Sequence, residues 1–240
     1  MENNIEKIRP EHILFLDIET VGAVATYQQL DLKMQSLWDK KAKNIKKDPE
    51  DSPEKCYEMA GIYAEFGKIV CISVAFIRDG LLRIKSFANE DEATLLQEFA
   101  NLLDAYFHKP YHRLCAHNGK EFDFPYLCRR MLINNIALPS ILDVAGKKPW
   151  ETKFLDTMEM WKFGDYKNFT SLDLLATIFK IPSPKDDIDG SQVHQIYWEN
   201  NDIQRIAKYC EKDVLTIVQL YLRYNGLDLL PDDKVVFAGN

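Results

Sequence analysis

The chain has 240 residues, 46% of them apolar, with a net charge of −7, a pI near 5.3 and five cysteines that form no CxxC pair. This size and apolar content suit one sizeable domain across residues 1–240. The acidity excludes a protein that coats long duplex nucleic acid through a broad basic face, though not one that grips a few nucleotides at an end. The cysteine spacing argues against a zinc knuckle and fits a reducing compartment. Met1 to Pro10 is polar and no apolar run approaches membrane-spanning length, so the expectation is a soluble, cytoplasmic protein with no membrane partner.

In chain order, residues 12 to 18 (HILFLDI) predict a buried strand. Residues 22 to 66 then predict a helical insertion with sparse apolar residues at helical spacing, Leu30, Met34, Leu37 and Trp38, and five lysines within 40 to 47. A solvated face is the plain reading of such a charge run, and a surface for nucleic acid or a protein partner is the other. Lys68 to Arg78, KIVCISVAFIR, predicts the second strand, with Cys71 in its core. Asp79-Gly80 is a hairpin signal into a third strand at 81 to 87. Helical spacing follows from Asn89 to Phe107, with Leu95, Leu96, Phe99, Leu102, Leu103 and Phe107 on one face. Arg113 to His117, holding Cys115, predicts a fourth strand, about Phe124 to Asn134 a helix, and Phe154 to Thr157 a fifth strand. Ser171 to Phe179, Gln192 to Asn200 and Ile203 to Tyr224 predict the closing helices. The fold class expected is α/β: a mixed five-stranded sheet, its first three strands antiparallel, with helices on both faces.

Three motifs hold the polar chemistry. Asp17-Ile18-Glu19-Thr20 ends the first strand, and residues two apart on a strand share a face, so Asp17 and Glu19 can converge. Alone, this equally fits a polar strand end. Asn118-Gly119-Lys120-Glu121-Phe122-Asp123-Phe124-Pro125-Tyr126-Leu127 follows the fourth strand, where Asp123 alone could cap a helix. Tyr209-Cys210-Glu211-Lys212-Asp213 lies inside the last helix, with Tyr209 and Asp213 at i and i+4 on one face. Together the four acids sit beside strongly apolar sequence, where unpaired carboxylates are costly. Oxygen ligands without histidine or sulfur point to Mg²⁺ or Mn²⁺ rather than zinc.

Other polar and aromatic residues fit simpler roles. His112 and His117 are five apart and would face opposite sides of a strand. His194 suits a surface helix position better than a catalytic base. Lys185, after Pro184, is a candidate phosphate contact beside the plainer reading of a loop lysine. Trp150, Trp161 and Trp198 suit packing better than base platforms.

The motifs resemble the three exonuclease motifs of DEDD 3′→5′ exonucleases. The N-x-x-x-F-D-x-P-Y-L and Y-x-x-x-D forms are similar to the proofreading domain of family-B DNA polymerases, and most of all to stand-alone exonucleases related to it. Glu65 to Ser73, Ser171 to Ala176 and Asp189 to Val193 also resemble that group, and the likeness spans about residues 12 to 224 apart from the 22–60 region. The resemblance implies a ribonuclease-H-like fold. It implies that Asp17, Glu19 and Asp213 hold one metal ion, and that Asp17 bridges to a second to which Asp123 contributes through water. Tyr209, with lysine rather than histidine at position 208, places the chain with the tyrosine (DEDDy) branch. Thr20, Asn118 and Phe122 would contact the terminal nucleotides.

The function expected is therefore release of nucleoside 5′-monophosphates from single-stranded or frayed DNA 3′ ends with two divalent ions, Mg²⁺ or Mn²⁺. An RNA or oligoribonucleotide exonuclease is the alternative, since no residue here singles out a 2′-hydroxyl. An inactive binding module would be expected to lack a carboxylate, and all four are present.

Overall fold

The computed structural model describes residues 8–165, 169–182 and 188–238. The N-terminal reading over Met1 to Lys7 and the phosphate contact at Lys185 lie outside them. After a 3₁₀ turn at Pro10–His12, β1 runs Ile13–Gly22. It is followed by the short helices of the 22–66 region: a 3₁₀ turn at Tyr27–Gln29, α1 (Leu32–Ile45), α2 (Pro53–Cys56) and a 3₁₀ helix at Tyr57–Ile62. Next come β2 (Gly67–Arg78), β3 (Leu81–Ala88), α3 (Glu92–Tyr106), β4 (Arg113–Ala116), α4 (Asp123–Ile133) and β5 (Phe154–Asp156). The chain closes with α5 (Thr157–Lys162), α6 (Leu172–Ile178), α7 (Val193–Trp198), α8 (Ile203–Tyr224) and β6 (Val235–Phe237).

The strands form one sheet in the order β5-β4-β1-β2-β3-β6. β1, β2 and β3 are antiparallel neighbours, while β4 joins β1, β5 joins β4 and β6 joins β3 in parallel. The sheet thus has six strands where five were expected. The sixth, β6, is a three-residue edge strand, too short to register as an alternating pattern.

Alternation on β1 assigns the two faces. Leu14, Leu16 and Ile18 pack with Leu95, Phe99, Leu103, Phe124 and Leu127 from α3 and α4. Ile13 and Phe15 pack on the other face with Val214, Ile217, Val218 and Tyr221 of α8. Continued in the same rhythm, Asp17 and Glu19 fall on the α8 face. β1 extends past the expected end at residue 18, with a register shift between Glu19 and Thr20 where it faces β2. The carboxylates therefore sit inside a strand next to a bulge.

The 22–66 region is less solvated than expected. Trp38 is fully buried, donates its indole N–H to the Pro53 carbonyl at 2.8 Å, and packs against Tyr57, Tyr63 and Phe66. Leu30, Ala42, Cys56 and Ala60 complete this small core. Two contacts fasten it to the sheet. Thr20 Oγ1 and Tyr126 Oη each donate to the Gly61 carbonyl at 2.8 Å. A β-carbon at Gly61 would lie 3.1 Å from Val21 Cα, so any side chain there would push the turn a few tenths of an ångström off β1.

A buried ion pair ties this region to α3 and α4. Glu92, at the start of α3, accepts from Arg130 Nε at 2.9 Å and Nη2 at 2.5 Å, from the Ile69 N–H at 2.7 Å, and from Asn134 Nδ2 at 3.0 Å. Arg130 Nη1 donates to the Ala64 carbonyl at 2.8 Å. Removing one partner leaves a buried charge uncompensated. Arg130→Ala is expected to destabilise the fold by about 3–5 kcal/mol in urea denaturation; a loss below about 1 kcal/mol would mean the pair is solvated in solution.

Candidate active site

Asp17 and Glu19 on β1 meet α8 where Cys210 and Asp213 face the sheet. One ligand atom each from Asp17, Glu19 and Cys210 lie within 4.8 Å of one another. Glu19 is 8% exposed and Asp17 is half-buried. Neither forms a salt bridge with a cationic side chain among the described residues. Burial pushes the Asp17 carboxyl well above the usual carboxylate range, with the charges of Asp213 and then Asp123 adding to it. Glu19 is raised in the same way by burial and then by Asp17 and Asp213. Asp213 is thus close enough to act electrostatically on both β1 carboxylates.

Tyr209, one turn before Asp213, is half-buried against the Ile188–Val193 segment. Burial, followed by the charges of Asp213, Glu19 and Asp17 and a hydrogen bond to Asp213, pushes its phenol far above the ordinary value. The hydroxyl therefore stays protonated and can donate, but cannot take a proton at physiological pH. The turn at Gly190–Gln192 lies over it; a β-carbon on Gly190 would sit 4.0 Å from Tyr209 Oη.

Asp123 is the first residue of α4 and is 3% exposed. β4 pairs with β1 only from Ile13 to Phe15. Beyond that point Asp123 lies near the Ile18 backbone. Burial raises its carboxyl to about 7, with the charge of Asp156 contributing, while its own backbone N–H and that of Ile18 act to lower it. Asn118 adopts a left-handed backbone, φ 61°, and its buried Oδ1 has no hydrogen-bond partner among the described residues. Gly119 is required beside it, because a β-carbon would lie 2.4 Å from Ala116 Cβ. Phe122 is half-buried with its ring 5.3 Å from that of Tyr126, next to Asp123. Thr20 follows Glu19 on β1, and its hydroxyl donates to the Gly61 carbonyl.

Asp156 and the polar layer behind Asp17 had no counterpart in the motif reading. Asp156, at the end of β5, accepts from the N–H groups of Asn118 and Lys120 at 3.0 Å, Met158 at 2.9 Å and Glu159 at 3.2 Å, so it shapes the Asn118 loop. Its signal in the sequence is an Asp three residues before Glu159 at a strand-to-helix junction, the pattern of an N-cap. Behind the carboxylates, Cys210 Sγ donates to Asp17 Oδ2 at 3.3 Å and contacts Cys71. Cys71 reaches Ser73 at 3.7 Å, Ser73 reaches Ser86 at 2.8 Å, and Ser86 donates to Glu211 Oε1 at 2.8 Å. Strand register places Asp17, Ser73 and Ser86 side by side on one face. Burial pushes the Cys210 thiol well up, so it remains an S–H donor that orients Asp17.

Two histidines, His117 and His194, are hydrogen-bonded within the fold. His117 bridges Thr157 Oγ1 and the Thr170 carbonyl, both at 2.9 Å, and burial lowers its pKa, which keeps it neutral. His194 is not the surface residue expected: its Nδ1 accepts from the Gly22 N–H at 3.2 Å and Nε2 lies 3.0 Å from the Ala25 carbonyl. Trp161 and Trp198 pack as expected, whereas Trp150 is 77% exposed.

A strand carrying D-x-E thus lies opposite a helix carrying Y-x-x-x-D, on a mixed sheet covered by helices on both faces. Residues 62–230, well over half of the chain, match the family described as predicted 3′-5′ exonuclease related to the exonuclease domain of PolB, and the chain belongs to that family. The match covers Asn118, Phe122, Asp123, Tyr209 and Asp213 and begins after β1. The family B DNA polymerase of the hyperthermophilic archaeon Pyrobaculum calidifontis has the same fold over 88% of this chain, with a TM-score of 0.52 and 16% identity. The chain spans 24% of that polymerase's length. Among curated proteins no sequence matches. No helix among the described residues is long and apolar enough to cross a membrane.

The raised carboxyls make stability depend on pH. A carboxyl whose folded pKa exceeds its unfolded value of about 4 binds more protons when folded, so stability falls as pH rises from there through the folded value. Asp17→Asn removes that loss. In EDTA its melting temperature should exceed wild type at pH 8 and approach it near pH 4. A variant no more stable than wild type at pH 8 would contradict the electrostatic description.

Proposed function

We propose that the chain removes nucleoside 5′-monophosphates from DNA 3′ ends, single-stranded or frayed, with two divalent cations, Mg²⁺ or Mn²⁺, as a single exonuclease domain of the DEDDy type. The observation that supports this most is the uncompensated charge at Asp17 and Glu19 beside Asp213. Hard carboxylate oxygens with no cationic side chain on the β1 pair fit magnesium or manganese. Asp17, Glu19 and Asp213 would hold one ion, and Asp17 with Asp123 the other. When bound, such ions supply Lewis acidity and offset charge on the attacking and leaving oxygens of the phosphodiester.

The chain's own groups do the rest. Cys210 donates to one oxygen of Asp17 and fixes its rotamer. Tyr209, held protonated with its O–H on Asp213, offers its oxygen lone pairs to the attacking water and so orients it rather than deprotonating it. Asn118 Oδ1, buried and otherwise unpaired, offers an acceptor to the terminal nucleotide. Phe122 offers a ring against the terminal base, a contact that every base tolerates. DNA is preferred to RNA through family likeness, since no side chain here selects for or against a 2′-hydroxyl.

Cleavage of 5′-labelled strands in Mn²⁺ tests this reading. A 3′-phosphate should block the ladder and a 5′ block should not; internal cuts in circular strands would overturn it. Asp213→Ala should abolish cleavage. Tyr209→Phe should lower the single-turnover rate by about 10²–10³, the scale for losing a positioned catalytic group, while leaving Mn²⁺ affinity near wild type. An unchanged rate would make Tyr209 a bystander.

A further inference from the structure

The 22–66 region lies almost wholly outside the family match, which begins at residue 62, and holds none of the four carboxylates of the site. Its first helix is unusual in charge. Residues 32–47 hold six lysines and one aspartate, a net +5 in a chain of −7, so the remaining residues carry −12. The lysines are not distributed evenly around α1. At about 100° per residue, Lys33, Lys40 and Lys43 fall within an arc of about 80°, roughly opposite the buried Trp38 and Ala42. All three are exposed, and none forms a salt bridge among the described residues. Two other lysines are committed locally: Lys41 Nζ lies 4.0 Å over the Tyr63 ring, and Lys46 Nζ donates to the Pro49 carbonyl at 2.6 Å.

The stripe is also placed by the fold. The Tyr57–Ile62 turn sits on β1 directly after Glu19, through Thr20 and Gly61, and α1 packs against that turn through Trp38 and Tyr57. With packed elements about 8–10 Å apart, two such steps keep α1 within roughly 20 Å of the carboxylates. A single strand whose 3′ end lies at Asp17 reaches that distance after several nucleotides. The three lysines span ten residues, about 15 Å of helix, enough for about three or four phosphates of one strand.

We propose that the Lys33–Lys40–Lys43 stripe of α1 holds the phosphate backbone of the nucleic-acid substrate several nucleotides upstream of the 3′ end. This rests on the nucleic-acid reading of the site and extends it. A polyanion complements the stripe, and the acidic remainder of the protein opposes its binding elsewhere. The stripe acts on affinity, not on chemistry, so its contribution grows with substrate length.

The test uses the full chain with Lys33→Glu, Lys40→Glu and Lys43→Glu combined, and a milder triple change to glutamine. In EDTA, where nothing is cleaved, fluorescence anisotropy follows a 24-nucleotide single-stranded DNA between 50 and 200 mM salt. The expected result is at least tenfold weaker binding at 50 mM for the glutamate variant. Its slope of log Kd against log salt should be shallower by about 2, at about 0.7 per phosphate released, and the glutamine variant should fall between. With Mn²⁺ added, KM for the 24-mer should rise at unchanged kcat, while a dinucleotide should be cleaved as by wild type. Equal affinity and salt slope in wild type and glutamate variant overturn the proposal, as does wild-type protein that fails to bind the 24-mer at 50 mM. Binding that depends on the stripe without any cleavage would instead sink the exonuclease reading and leave the stripe standing.

Discussion

Two carboxylates, half-buried Asp17 and buried Glu19, with no cationic side chain bridged to either among the described residues, are the condition around which this molecule is organised. Asp17 and Glu19 lie two residues apart on the central strand, both facing α8, which brings Asp213 toward them. Burial of such a group is unfavourable unless protons or cations neutralise it. The layer behind the cluster is polar: Cys210 donates to Asp17, and Cys71, Ser73 and Ser86 form a hydrogen-bonded run to Glu211. β4 leaves β1 after Phe15 and the register with β2 shifts after Glu19, so both carboxylates lie on the stretch between, near which Asp123 is placed.

The rest of the architecture fixes these pieces relative to one another. α8 is continuous for 22 residues and packs on β1, β2 and β3, so Tyr209 and Asp213 are held on a rigid rod anchored by Val214, Ile217 and Val218. The Asn118 loop depends on Asp156, whose carboxylate gathers four backbone N–H groups. On the opposite face, the Glu92–Arg130 pair locks α3 to α4 and both to the start of β2. A site assembled from a strand, a loop and two helices thus rests on elements that cannot shift independently.

Much of this was legible in the residues. α8 runs from Ile203 to Tyr224, the bounds its apolar spacing implies, because a long amphipathic helix repeats its pattern many times. β2 and β3 followed from β-branched runs around Asp79-Gly80, where Asp79 and Gly80 both take positive φ. The grouping of Asp17 with Glu19 followed from strand alternation. What escaped reading depends on tertiary partners. β6 has three residues and acquires meaning only by lying beside β3. The 22–66 region has few apolar residues, yet Trp38, Tyr57, Tyr63 and Phe66 fill a core because aromatic rings bury much area each. The bond from the Thr20 hydroxyl to the Gly61 carbonyl joins residues 41 positions apart, which no local pattern shows. His194 looked exposed by local pattern and is instead bonded to the backbone after β1.

The central claim is that the β1–α8 carboxylates are built to be neutralised by divalent cations. Electron paramagnetic resonance of free Mn²⁺ during titration with metal-stripped protein measures this directly, without substrate or turnover. The account predicts that wild-type protein removes two equivalents of the free-ion signal and that Asp17→Asn, which alters the residue assigned to both ions, removes markedly less. A wild-type protein that leaves the free signal unchanged, or an Asp17→Asn variant that binds as much manganese as wild type, would contradict it.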